Sequence, residues 1–174
     1  MQKLSCFLTI FIYLFFSNIL LSEEKKTISG KARIIDGDTI KINKISIRLY
    51  GIDAPEKNQV CQDLTGESYN CGLRSTRFLK NLIRTSTRVK CSYKNLDRYG
   101  RIIGKCISYT KVQNSNKIIP FDLNYQMVAT GHAVEYKRYS RGEYSKAEEN
   151  AKKERKGLWK GEFDRPEKWR RKYK

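Results

Sequence analysis

The stretch Ile40-Lys41-Ile42-Asn43-Lys44-Ile45-Ser46-Ile47-Arg48-Leu49 alternates apolar and polar side chains with a period of two, broken once at Asn43-Lys44. Such alternation is the mark of half-buried strands, since successive side chains of an extended chain point to opposite faces. Ile40, Ile42, Ile45, Ile47 and Leu49 are expected on one face and Lys41, Ser46 and Arg48 on the other. Asn43-Lys44 and the upstream Asp36-Gly37-Asp38 carry turn residues, so Lys31 to Pro55 reads as an antiparallel meander of three strands.

Downstream the pattern changes. The stretch 57–70 is polar and punctuated, and Leu73, Phe78, Leu79, Leu82 and Ile83 then fall at helical spacing within Gly72 to Ile83. Arg88 to Tyr93 and Arg101 to Tyr109 read as two more strands flanking the turn-rich stretch 94–100. A second helix is expected over Asp122 to Thr130 with Gly131 closing it, and a third over Glu143 to Lys156, ending at Gly157-Leu158-Trp159. The fold class is therefore α+β, mainly β: a five-stranded barrel with three helices.

With 174 residues, the chain suits one compact domain with appendages. The 36 Lys and Arg against 18 Asp and Glu leave a formal charge of +18, which predicts a polyanionic partner. Residues 1–22 carry one lysine, Lys3, and then an apolar run from Leu4 to Leu21, the pattern of a signal peptide. The run is also long enough to serve as an uncleaved anchor, so a periplasmic or secreted protein is expected, with a membrane tether through residues 4–21 as the alternative. The domain proper is expected over 23–160, with a basic tail over 161–174. Export makes Cys61, Cys71, Cys91 and Cys106 candidates for two disulfides. Three pairings are open. Cys61 with Cys71 would close a short loop, and Cys91 and Cys106 lie on segments that could face each other as paired strands.

The polar residues of the meander are concentrated. Asp36 and Asp38 sit at the first turn, Arg48 on the third strand, and Asp53 and Glu56 at its exit. In a closed sheet the first turn and that exit meet, and crowded carboxylates repel unless a cation lies among them. With neither His nor Cys in the cluster, the donor set is all oxygen and suits a hard ion such as Ca²⁺ or Mg²⁺. Phosphodiester hydrolysis needs a base for water, a cation on the phosphate and donors for the growing charge. Glu56 behind Pro55 can supply the first, and Arg48 and Arg101 offer planar bidentate contacts to phosphate oxygens.

Four stretches then resemble the thermonuclease, or staphylococcal nuclease, family: Ile35-Asp36-Gly37-Asp38-Thr39, Arg48-Leu49-Tyr50-Gly51-Ile52-Asp53-Ala54-Pro55-Glu56, Asp97-Arg98-Tyr99-Gly100-Arg101 and Gly157-Leu158-Trp159. The resemblance implies an OB-fold barrel and a calcium-dependent endonuclease of DNA or RNA that acts as a monomer and leaves 3′-phosphate ends. It implies Asp38, Asp53 and the backbone carbonyl of Ala54 as Ca²⁺ ligands, with Asp36 supporting them. It implies Glu56 as general base, Arg48 and Arg101 as the phosphate-binding pair and Tyr99 as a substrate contact. A binding module of the same fold that has lost catalysis is the competing reading, and the full set of acids argues against it. Lone His132 has no neighbour in sequence to orient it as a base and reads as structural.

Overall fold

A computed structural model describes residues 25–112 and 114–173. The expected leader at residues 1–22 lies outside the described residues, and no described helix is long and apolar enough to cross a membrane.

Eleven strands and five α-helices are formed by the described residues. The principal sheet runs β1 (Lys26–Gly30), β8 (Ser86–Leu96), β9 (Ile102–Lys111), β4 (Ile45–Leu49), β3 (Thr39–Ile42), β2 (Ala32–Ile34), with β10 (Ile118–Asp122) added to β9. Its two ends, β1 and β2, are consecutive in the chain and separated by Lys31 alone. One bent segment thus pairs with β8 on one side and β3 on the other, and this curls the sheet into the expected five-stranded OB-type barrel. β2, β3 and β4 form the antiparallel meander, and β4 meets β9 in the parallel pairing, Ile47 opposite Ile102.

The local chemistry explains the central hairpin. Asn43 and Lys44 both adopt positive φ, 48° and 71°, the two-residue turn whose twist matches that of paired strands. Ile40, Ile42, Ile47 and Leu49 are buried in the barrel with Val89, Cys91, Ile102 and Cys106. Ile45 departs from the alternation: beside the turn, beyond the reach of the core, it stays 45% exposed.

Around the barrel lie α1 (Cys71–Leu82), α2 (Leu123–Ala129), the single turn α3 (Lys137–Ser140), α4 (Ser145–Lys153), a 3₁₀ turn (Gly157–Lys160) and α5 (Pro166–Tyr173). Asn70 and Asp122 cap α1 and α2 by accepting from the N–H of Leu73 and Tyr125, satisfying donors a helix start leaves open. The expected third helix is shorter than the charged run: α4 spans Ser145–Lys153 and buries Ala147, Glu148 and Ala151. Within the expected basic tail, Pro166–Tyr173 form α5.

Four short strands form two further pairs outside the principal sheet. β5 (Ile52–Asp53) pairs with β11 (Val134–Glu135), and β6 (Val60–Gln62) pairs with β7 (Ser68–Asn70). Cys61 is bonded to Cys71 beneath the β6–β7 hairpin, and Cys91 to Cys106 directly across the β8–β9 ladder. Gly72, next to Cys71, lies where a Cβ would come within 1.8 Å of the Glu56 carbonyl oxygen. Only a glycine lets α1 seat against the loop that carries Glu56.

Candidate active site

Asp38 ends the turn before β3, Arg48 lies on β4 opposite Thr39, and Asp53 closes β5. The barrel brings all three to one rim. Arg48 donates through Nη1 to Asp38 Oδ1 and through Nη2 to Asp53 Oδ1, at 2.9 Å each. Both aspartates are buried, at 4% and 1% exposure. The Asp38 carboxylate also accepts from Thr39 Oγ1 at 3.0 Å and from the Ala54 N–H at 3.2 Å. Asp36 supports it from behind, its Oδ1 accepting the Asp38 N–H at 3.0 Å.

The electrostatics are those of an acid cluster short of positive charge. Burial, and then the neighbouring Asp38, push the Asp36 carboxyl up to about 6. Burial pushes Asp53 up as well, against the pull of the guanidiniums on it. Burial alone would lower the Arg48 guanidinium, but Asp38 and Asp53 outweigh it and hold it above its ordinary range.

Glu56 faces the same cleft, a space of about 1010 Å³ whose wall also carries Tyr99 and Arg101. Arg101 enters it just before β9, where its Nε donates to Asp97 Oδ2 at 2.7 Å. The Asp97–Arg101 turn is closed by its own bonds, Asp97 Oδ1 accepting from the N–H of both Tyr99 and Arg101 at 2.9 Å. Tyr99 is 69% exposed at the cleft mouth, with the Arg101 guanidinium 5.6 Å from its ring centre. The structure therefore gathers Asp36, Asp38, Arg48, Asp53 and Ala54 in direct contact, and sets Glu56, Tyr99 and Arg101 around the cavity they face. On a further wall Tyr136 and Tyr139 meet edge to face, ring centres 4.8 Å apart.

One residue of the site was not expected. Arg170, on α5, donates Nη1 to Asp53 Oδ1 at 2.9 Å and to Glu56 Oε1 at 3.0 Å, and Nη2 to Asp53 Oδ2 at 2.9 Å. Its stretch, Arg165 to Lys174, looks like a solvated basic tail in sequence. The signal that could have found it is helical: Pro166 at the first position, Glu167 in the first turn and Arg170, Arg171 and Lys172 in the last, the polarity a helix dipole favours.

The donor set fits a hard divalent ion. Asp38 and Asp53 converge on one guanidinium, so a single cation can lie within reach of both, and Ala54 lines the same cleft. Among the described residues no three of His, Cys, Asp and Glu are grouped as a metal cluster. An ion here would be held by two carboxylates and a backbone carbonyl, with water completing the shell, as oxygen-seeking cations accept.

An OB-type barrel with buried aspartates, arginines and a glutamate around one rim defines the class, a barrel domain bearing a carboxylate–arginine site. The family model described as "Staphylococcal nuclease homologue" matches residues 46–161, and the chain belongs to that family. It is 34% identical over 170 residues to an uncharacterized endonuclease of Haemophilus influenzae, covering 94% of this chain and 84% of that protein. It is 32% identical over 148 residues to the micrococcal nuclease of Shigella flexneri, covering 80% and 78%. It is also 35% identical over 135 residues to the succinoglycan biosynthesis protein ExoI of Rhizobium meliloti, covering 78% of this chain and 66% of that protein.

Proposed function

We propose that this chain is an exported, calcium-dependent endonuclease that hydrolyses phosphodiester bonds of DNA or RNA as a monomer. The observation that carries this reading is the bridge of Arg48 between Asp38 and Asp53, with Glu56 and Arg101 facing the same cleft. The relatives named micrococcal nuclease and endonuclease support it.

Asp38, Asp53 and the Ala54 carbonyl would hold the ion, and Asp36 would keep Asp38 aimed at it. When bound, calcium supplies positive charge against the scissile phosphate and the attacking water. Glu56 takes a proton from that water as its oxygen attacks phosphorus. Arg48 and Arg101 give paired N–H bonds to the non-bridging oxygens, whose charge grows in the transition state. The bond from phosphorus to the 5′-oxygen breaks, that oxygen picks up a proton, and the phosphate stays on the 3′ side. Tyr99 contacts the phosphate, and Tyr136 and Tyr139 offer faces for a base to stack on.

The net charge of +18 favours binding of a polyanion, and two disulfides suit an oxidising compartment outside the cytoplasm. The test is digestion of single-stranded DNA by the purified protein, with end-group assay of the fragments. Fragments ending in 3′-phosphate uphold the assignment; 5′-phosphate ends would overturn the direction of cleavage.

A further inference from the structure

We propose that Arg170 is an internal counter-cation that exchanges with the divalent ion, so that docking of α5 and loading of the metal exclude each other. The inference rests on the metal reading above and adds to it a residue and a moving element.

Arg170 engages both oxygens of Asp53, one of which Arg48 also holds. Its two terminal nitrogens lie in register with the two carboxylate oxygens at 2.9 Å each, and one of them also reaches Glu56 Oε1 at 3.0 Å. Calcium binds carboxylate oxygens at about 2.3–2.6 Å. A dication on the face of Asp53 taken by the Arg170 fork would overlap a guanidinium that already stands beside the Arg48 charge. One of the two positive groups must leave. Asp53 and Glu56 serve both arrangements, so the contact that neutralises the acids also blocks the ligand and the base.

The mounting of α5 is suited to release. Its base is fixed by several contacts: Gln59 Nε2 donates to the Asp164 carbonyl at 2.7 Å, and Arg165 Nη2 donates to the Glu135 carbonyl at 2.8 Å and to Glu148 Oε1 at 3.0 Å. Glu135 is itself held by Ser140 Oγ, Ser145 Oγ and the Tyr144 N–H. Pro166 is buried, whereas Arg171, Lys172 and Tyr173 at the far end are exposed. The far end thus reaches the catalytic rim through Arg170, on a pivot that stays put. When an ion takes Asp53, the released guanidinium is left at the mouth of the cleft, where a phosphate backbone arrives.

A contact closed in about nine molecules of ten weakens the apparent affinity of its competitor about tenfold. Calorimetric titration of calcium chloride into the protein and into Arg170→Ala measures that factor. Amide hydrogen exchange of the unaltered protein, with and without calcium, reports the helix even if the variant does not fold. Calcium binding to Arg170→Ala about tenfold tighter, together with calcium-accelerated exchange at Trp169 to Tyr173, upholds the proposal. Equal or weaker binding by the variant, or α5 amides that slow or do not respond, overturns the exchange while leaving the metal site standing. Binding by neither protein overturns the metal site and the exchange together.

Discussion

Asp38, at the turn before β3, and Asp53, on β5, accept hydrogen bonds from the two terminal nitrogens of the same guanidinium, each at 2.9 Å. The geometry needs a planar fork, because one point charge cannot satisfy two carboxylates and also present directed donors to a phosphate. Arg48→Lys therefore keeps the charge and loses the bridge. Its kcat on single-stranded DNA is expected to fall about 10²–10³-fold, measured against a folded control by circular dichroism. Activity within a few-fold of the parent would remove Arg48 from the transition state.

Glu56 is assigned a proton-transfer role and no metal contact. Glu56→Gln should lower kcat by about 10²–10⁴-fold, the usual contribution of a positioned base, while calcium binding by calorimetry is retained. A variant that loses calcium binding in step with turnover would make Glu56 a ligand instead.

Gly72 links the fold to that base. The Cβ of Gly72→Ala would lie 1.8 Å from the Glu56 carbonyl oxygen and 2.6 Å from its carbon, so the backbone carrying Glu56 must shift. Overpacking of this kind costs about 1–3 kcal/mol, and thermal melting should register it together with a fall in kcat. An unchanged Tm with full activity would mean the loop yields freely.

How far sequence reached follows from where each signal resides. Asp38, Arg48, Asp53 and Glu56 stand on or beside one short alternating meander, so period and spacing place them on a common rim. Arg170 joins Asp53 across more than a hundred residues, with |i−j| of 117, and no local pattern encodes such a partner. The same holds for Glu135, whose buried bonds to Ser140, Tyr144 and Ser145 depend on the turn α3. The hairpin was legible because its turn is local. The two-sided pairing of β1–β2 that closes the barrel was not, since a bend at Lys31 leaves no periodic trace. Of the three open cysteine pairings, the register Cys91 opposite Cys106 selects one.

His132 provides a pH test apart from the catalytic rim. Its ring stacks on Phe78 with centres 3.7 Å apart, and burial, then Arg74, pull its pKa from 6.5 down to about 4. The unfolded chain takes up the proton first, so the contribution of His132 is present above pH 6.5 and is lost as pH falls toward 4. That loss is on the order of 3 kcal/mol. Urea melts of His132→Gln should show a shallower fall in stability between pH 6.5 and 4 than the parent, and parallel pH curves would contradict the assignment.

The most direct test of the central claim is a calcium titration of nuclease activity on single-stranded DNA. Cleavage should rise from background to a plateau as calcium is added and return to background on addition of a chelator. Cleavage that persists unchanged in chelator, or DNA bound yet left intact with every divalent ion tried, would contradict it.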